Sequence, residues 1–78
     1  MIVQYNGKKP KIDKTAFIAE TAVIIGDVTI EENASIWYGA VLRGDTASIY
    51  IGKETNIQDN TVIHIDNDTP CIIKDYVT

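Results

Sequence analysis

The chain has 78 residues, of which 45% are hydrophobic and 23% charged, and it carries a formal net charge of −4. This length allows at most one small domain, and the negative charge argues against the basic surface that nucleic-acid binding needs. A single cysteine rules out an internal disulfide framework and suits a reducing cytosol.

Residues 1–11 are predicted to be a lead-in to the main domain. Residues 2–5 read as a short strand, Asn6-Gly7 is a turn signal, and Pro10 favours extended backbone before it. The first ten residues lack the basic-then-apolar order of a signal peptide, and no apolar run approaches the length of a membrane span. We therefore expect a cytoplasmic chain with no membrane partner.

A ladder of branched aliphatic residues with a period of six organises the domain that spans residues 12–78. Its first six members are Ile12, Ile18, Ile24, Ile30, Ile36 and Leu42. A small or β-branched residue follows each of them by four positions: Ala16, Ala22, Val28, Ala34, Ala40 and Thr46. A strict period of six builds no continuous apolar helical face, which requires spacings of three and four residues. A chain that turns a corner every six residues accounts for both series, so the sequence predicts an all-β fold, a parallel β-helix of hexapeptide repeats.

Two insertions interrupt the ladder. The step from Leu42 to Ile51 is nine residues, and the step from Ile63 to Ile73 is ten. The extra residues fall within positions 43–48 and 66–70. Insertions in a solenoid bulge outward at its corners, so both are predicted to be loops.

Three hexads close one coil, so the ladder predicts three complete coils and the start of a fourth. The inward columns are Ile12, Ile30, Ile51 and Ile73 on the first face, Ile18, Ile36 and Ile57 on the second, and Ile24, Leu42 and Ile63 on the third. The residue after each inward aliphatic points outward, and neighbouring coils are about 4.8 Å apart. Arg43 and His64 are therefore predicted to be neighbours on the outer surface of the third face, while Trp37 and Gln58 lie outward on the second.

Outward polar residues are the candidates for chemistry. His64 is the only histidine. Neutral imidazole is a common zinc ligand, but a catalytic zinc needs about three protein ligands. His64 is therefore either one ligand of a shared site or an ordinary surface histidine. Arg43 and Asp45 are expected to form an ion pair, because the guanidinium fork suits a carboxylate.

Residues 55–60, which read TNIQDN, concentrate amide and carboxylate side chains in one hexad. Such residues either satisfy backbone groups at a corner or orient a bound ligand or water. Trp37 and Tyr38 are large residues near a corner, and exposed aromatic side chains of this kind mark a subunit interface. Cys71 is interpreted as a small hydrophobic residue, since no base lies near it in the sequence.

Four segments together resemble the signature of the γ-class carbonic anhydrases and their close relatives. They are Val41-Leu42-Arg43-Gly44-Asp45, Ile51-Gly52, Thr55-Asn56-Ile57-Gln58-Asp59-Asn60 and Val62-Ile63-His64. The resemblance runs from about residue 12 to the last residue. It implies a left-handed β-helix, a homotrimer with metal sites between subunits, and reversible hydration of CO2 to bicarbonate by metal-bound hydroxide. It also implies a zinc cofactor, or iron or cobalt, held by three histidines.

The resemblance implies roles for single residues. His64 matches the first metal ligand of the family. Asn56 and Gln58 match polar residues close to the metal, where they would serve catalysis by orienting water or bicarbonate. Arg43 and Asp45 match an ion pair near the site and the trimer contact. The family's other two histidines lie one hexad beyond the last residue of this chain, so we expect the N-terminal part of a longer protein, inactive by itself.

Two alternatives stay open from the residues. A hexapeptide acyltransferase shares the ladder and uses a histidine as a general base instead of as a metal ligand. A non-catalytic scaffold, or a metal-free fragment, would keep only the coil. The Arg-Gly-Asp and Asn-Ile-Gln-Asp-Asn motifs favour the carbonic anhydrase interpretation over the acyltransferase.

Overall fold

The computed structural model of the chain describes residues 1–65 and 68–78, and every regular element in them is a β-strand. The strands are β1 (Ile2–Val3), β2 (Lys11–Ile12), β3 (Phe17–Ile18), β4 (Val23–Ile30), β5 (Ser35–Ile36), β6 (Val41–Ile51), β7 (Asn56–Ile57), β8 (Val62–His64) and β9 (Cys71–Ile73). No helix long and apolar enough to cross a membrane occurs in these residues.

The strands pair in parallel and wind into a β-solenoid. In one sheet β4 pairs with β1, β2 and β6, and β6 pairs in turn with β8 and β9. In the other sheet β5 lies between β3 and β7. The strands β4 and β6 are long because each continues from the third face onto the first face. The pairing stacks three coils and the first face of a fourth, which confirms the predicted parallel β-helix.

The aliphatic ladder forms the three predicted inward columns. Residues paired in register are Ile12, Ile30, Ile51 and Ile73 on the first face, Ile18, Ile36 and Ile57 on the second, and Ile24, Leu42 and Ile63 on the third. Ile24, Ile36 and Leu42 are fully buried, whereas Ile12 and Ile73 in the end coils are only partly buried. Complete burial of one such side chain contributes about 1.5–3 kcal/mol, so the middle coils hold most of the core.

Small residues close the corners, and in the upper coils a residue with left-handed backbone comes directly before them. Ala34 and Ala40 are buried at two successive corners. The residues before them, Asn33 and Gly39, have φ angles of 57° and 76°. The hydroxyl of Thr15, one coil below, accepts a hydrogen bond of 2.9 Å from the backbone N–H of Asn33. A left-handed corner explains why asparagine and glycine precede the alanines.

The first insertion differs from its prediction, because the chain stays in a strand there. Pairing with β4 passes from Gly44 to Ile49, so residues 45–48 bulge opposite a single residue of β4. The predicted loop at 43–48 was therefore wrong. Thr46, predicted at the small corner position, is exposed, and the fully buried Ile49 takes that position instead. The bulge lets the apolar side chain enter the core and leaves the hydroxyl outside.

The second predicted insertion, at 66–70, includes Asp66 and Asn67, which lie outside the described residues. Parallel pairing resumes with Cys71 opposite Ile49 of β6. Cys71 is partly buried and packs against the core, as a small hydrophobic residue does. It thus occupies the corner position of the third column, one coil above Ile49.

The lead-in belongs to the same solenoid, because β1 pairs in parallel with β4. Asn6 and Gly7 have φ angles of 50° and 75°. The backbone groups of Tyr5 and Lys8 exchange hydrogen bonds of 2.8 and 2.9 Å across them. These values describe the two-residue type I′ turn that an Asn-Gly pair favours. The strand β1 therefore extends the third face below the first coil, and the chain reaches the first face at Lys11.

Candidate functional site

Arg43 and His64 lie side by side on the outer surface of the third face. They are paired residues of β6 and β8, and each follows an inward residue of the third column. His64 is exposed, and 47% of the Arg43 side chain is exposed. The prediction that these two residues are neighbours is confirmed. The period-six register therefore brings an imidazole and a guanidinium, 21 residues apart in sequence, onto one surface.

Asp45 holds the guanidinium of Arg43 in place. Both Nε and Nη2 of Arg43 are 3.0 Å from Oδ2 of Asp45. The other carboxylate oxygen, Oδ1, accepts a 2.8 Å hydrogen bond from the backbone N–H of Thr46. The Thr46 N–H, and after it the Arg43 guanidinium, holds the pKa of Asp45 below its usual value. The predicted ion pair is therefore present within the chain, with the aspartate ionised.

Gly44 between them is required by close packing. A Cβ built on Gly44 would lie 2.5 Å from the carbonyl oxygen of Asp27 and 2.9 Å from its carbonyl carbon. The backbones of two coils touch at this point, and any side chain would push them apart. Glycine thus allows Arg43 and Asp45 to stand on the outer surface while the backbone stays against β4.

A second polar group occupies the second face. Asn56 and Gln58 flank the inward Ile57 at outward positions. Ser35 lies one coil below Asn56 and is paired with it in register. Its Oγ donates a short hydrogen bond to Oδ1 of Asn56. Nε1 of Trp37 donates to the same Ser35 Oγ at 2.9 Å. Sequence reasoning missed Ser35, although its position one residue before a ladder isoleucine places it in register with Asn56.

Trp37 was expected at a subunit interface with no contact inside its own chain to explain it. In the structure its ring lies against Phe17, with ring centroids 4.9 Å apart and planes inclined by 45°. Tyr38 is half exposed, and its ring centroid is 6.4 Å from that of Trp37. Packing within the solenoid therefore accounts for much of the Trp37 surface, and Phe17 and Tyr38 keep an exposed aromatic edge.

The two polar groups lie on adjacent faces of the solenoid. Arg43 and Asp45 line a concavity of about 360 Å³ together with Val3, Tyr5 and Ile25. A second concavity of about 260 Å³ lies at the end of the stack, over the inward residues Ile57, Ile63 and Ile73, and is also lined by Asn56, Gln58, Thr61, Val77 and Thr78. The structure thus groups Arg43 with His64 and Asp45, and Asn56 with Gln58. A corner at residues 59–61 separates the two groups.

The donors for a metal ion are few. Within residues 1–65 and 68–78, no group of three His, Cys, Asp or Glu side chains is placed to hold a metal. His64 is an exposed nitrogen donor on a rigid strand, which fits a zinc ligand chemically but supplies one ligand of the three that a catalytic site needs. The described residues therefore form no complete metal site, and His64 is the donor among them that a shared site could use.

Comparison with known proteins gives consistent relatives, although no family model matches the chain. The chain is 50% identical over 78 residues to a protein of Geobacillus kaustophilus named carbonic anhydrase, covering 100% of this chain and 43% of that protein. It is 48% identical over 77 residues to the Arabidopsis thaliana protein named gamma carbonic anhydrase 2, mitochondrial, covering 91% of this chain and 28% of that protein.

Among solved structures, a hexapeptide transferase family protein from Anaplasma phagocytophilum superimposes with a TM-score of 0.90 at 55% identity. That match covers 96% of this chain and 43% of the other. The chain therefore spans less than half the length of these relatives.

Proposed function

We propose that this chain, which is homologous to proteins named carbonic anhydrase and gamma carbonic anhydrase, carries part of the active site of an enzyme that hydrates CO2 reversibly. The observation that carries the proposal is the stacking of His64 directly above Arg43, whose guanidinium Asp45 holds. At about 50% identity to the Geobacillus kaustophilus protein, the arrangement of these residues is expected to be shared.

His64 would supply one metal ligand in this proposal. Zinc is the metal we favour, with iron or cobalt as the other candidates, and the remaining ligands would come from outside the described residues. Such a metal acts as a Lewis acid and lowers the pKa of its water to about 7. We propose a site shared between subunits of a homotrimer, with two histidines from one subunit and one from its neighbour. The outward position of His64 suits such a shared site.

Arg43, Asn56 and Gln58 would bind and orient water and bicarbonate. The charge of Arg43 attracts the bicarbonate anion, and its ion pair with Asp45 keeps the guanidinium in one orientation. The carboxamides of Asn56 and Gln58 stand on outward positions of the second face and can donate hydrogen bonds to water or to bicarbonate oxygens. In this division of roles Asp45 contacts no substrate and acts by orienting Arg43.

Self-association is the second part of the proposal. Phe17, Tyr38 and Val62 are exposed by 43%, 50% and 66%, and apolar surfaces of this kind are covered in oligomers. We propose a homotrimer that covers these residues, which lie on the second face, at the following corner and on the third face. We also propose a cytosolic location, which suits a single free cysteine, although the Arabidopsis relative is named mitochondrial.

The experiment that tests this function uses the complete protein and compares His64→Ala with the wild type. We expect about one metal per subunit by elemental analysis in the wild type, and loss of that metal in His64→Ala. The kcat/KM for CO2 hydration should fall by more than about 100-fold, since changes to outer-shell partners alone cost 10–100-fold. The matched control is Glu20→Ala, an exposed residue on the first coil, which should keep metal and activity. Full metal content and activity in His64→Ala would contradict the proposal.

The hexapeptide acyltransferase is the second candidate, favoured by the name of the Anaplasma phagocytophilum structure. In that case His64 would act as a general base and the reaction would need no metal. Stripping the metal with a chelator separates the two functions. Acyl transfer that survives in the stripped protein, with no CO2 hydration before stripping, would favour the acyltransferase.

A further inference from the structure

We propose that Ser35 and Trp37 are positioning residues that fix the carboxamide of Asn56, so that its Nδ2 is kept as a donor for an oxyanion ligand. The inference rests on the proposed function, because it takes bicarbonate as that oxyanion. It adds two residues that the sequence assigned to no part of the site. Their contribution is argued from a chain of hydrogen bonds that crosses two coils.

The relay runs from the indole to the carboxamide through one hydroxyl. Nε1 of Trp37 donates to Oγ of Ser35 at 2.9 Å, and Ser35 Oγ donates to Oδ1 of Asn56. Ser35 is only 9% exposed, so water does not readily replace either partner. Ser35 and Asn56 are paired in register between β5 and β7, which fixes the distance between them.

The direction of the relay follows from the donors. The indole Nε1 only donates, so the Ser35 oxygen must accept from Trp37 and its single proton needs another acceptor. The Oδ1 of Asn56 is that acceptor. If the carboxamide were turned over, Nδ2 would also point at Ser35, and the serine proton would be buried without an acceptor. An unsatisfied buried donor is strongly disfavoured, so the relay selects one orientation of Asn56.

The first member of the relay is held on both sides. The Trp37 ring packs against Phe17 of the first coil, and the backbone N–H of Trp37 donates to the carbonyl of Ile57 at 2.9 Å. The ring of Trp37 is therefore held by the coil below, and its backbone is held by the coil above. A rigid donor at the start of the relay keeps Ser35 and Asn56 in one rotamer each.

The orientation leaves the donor end of Asn56 for a ligand. Among the described residues, no hydrogen bond engages Nδ2 of Asn56. An N–H of Nδ2 that is held in one direction can donate to one oxygen of a planar oxyanion such as bicarbonate, whereas CO2 is neutral and a weak acceptor. The relay is therefore expected to affect the anion more than the neutral substrate.

The first test is structural and does not depend on turnover. The Trp37 indole N–H resonance is assigned by its loss in Trp37→Phe. In Ser35→Ala, we expect solvent exchange of that proton to accelerate by roughly 3- to 10-fold, the range that one neutral hydrogen bond covers. Ser35→Thr keeps the hydroxyl and should restore the slow rate. The control Thr21→Ala removes a different hydroxyl, which accepts from the Gly39 N–H, and should leave the indole unchanged.

The second test follows the ligand. Bicarbonate is titrated into the complete protein while the side-chain amide resonances of Asn56 are recorded. We expect a saturable shift in the wild type and in Ser35→Thr, and an apparent Kd raised by roughly 3- to 10-fold in Ser35→Ala. In steady-state kinetics Ser35→Ala should raise the KM for bicarbonate and leave the KM for CO2 unchanged. Combining Ser35→Ala with Asn56→Ala should add nothing to the loss in Asn56→Ala, because both act through one group.

The outcomes separate this inference from the proposed function. Unchanged indole exchange and unchanged bicarbonate affinity in Ser35→Ala would overturn the positioning role, whatever the activity. Additive losses in the double variant would also overturn it. A wild type that binds bicarbonate through Asn56 but hydrates no CO2 would leave the relay standing and overturn the carbonic anhydrase function alone.

Discussion

The ionisation of Asp45 makes the stability of the fold depend on pH. The pKa of Asp45 in the folded chain lies below the usual value of an aspartate, chiefly because of the Thr46 N–H and then the Arg43 guanidinium. A depressed carboxyl pKa contributes stability that is present above the unfolded pKa and is lost as the pH falls through the folded pKa. The contribution is therefore complete at pH 7 and disappears below the usual range of an aspartate.

We accordingly expect Asp45→Asn to lower the melting temperature at pH 7 and to lower it less, or not at all, at pH 2 to 3. Thermal unfolding followed by circular dichroism at the two pH values measures this. Asp59→Asn is the matched control, since Asp59 is an exposed aspartate at a corner and forms no ion pair with any residue that the structure describes. A loss that is equal at both pH values would show that the Asp45 effect is not electrostatic.

At the scale of residues, the sequence predicted positions better than contacts. Arg43 and His64 could be paired in advance because both follow a ladder residue, and the period alone sets their register. The Ser35–Asn56 bond and the packing of Trp37 were not predictable, because they depend on rotamers and on how close two coils come. Nothing in the sequence around Ser35 indicates which side chains its hydroxyl will contact.

At the scale of elements, the ladder was predictable and its interruption was not. Every inward column was assigned correctly, since a period of six has one register that buries all its aliphatics. The bulge of β6 offered two candidates for one corner, Thr46 and Ile49, and counting four positions from Leu42 selected the wrong one. Burial decided between them: the chain keeps parallel pairing and places the apolar residue inside.

One corner residue, Glu54, has a backbone conformation that is unfavourable for its side chain. Glu54 has a φ of 52°, in the left-handed region where Asn33, Gly39 and Asn60 serve the equivalent corners. A side chain other than glycine or asparagine is disfavoured there by about 1–2 kcal/mol. We expect Glu54→Asn to raise the free energy of unfolding by up to about 1 kcal/mol, because asparagine enters this region more readily.

Urea denaturation of Glu54→Asn beside Glu32→Asn checks that expectation. Glu32 is an exposed corner glutamate that lies outside the left-handed region, so the same chemical change should bring no gain there. Equal shifts in the two variants would assign the effect to charge and not to backbone conformation. The backbone hydrogen bond from the Glu54 N–H to the Glu32 carbonyl, 3.0 Å long, is present in both.

At the scale of the whole molecule, the solenoid behaves as a stack in which each coil contacts only its neighbours. Ile36 is fully buried between Ile18 and Ile57 in the second column, whereas Ile12 has a paired residue on one side only. Truncating Ile36 leaves a cavity that two rigid coils cannot close, while the half-buried Ile12 site can relax. The stability lost when an isoleucine is truncated should therefore depend on the coil in which it lies.

We expect Ile36→Ala to reduce the free energy of unfolding by about 2–5 kcal/mol, and Ile12→Ala by clearly less, for the same atoms removed. Small domains are stable by only about 5–15 kcal/mol, so Ile36→Ala should unfold a large part of the population at mild urea concentrations. The same variant removes the support beneath Trp37 and Ser35, so the Trp37 indole proton should lose its protection together with the core. Equal destabilisation by the two variants would show that the stack is not organised around its middle coil.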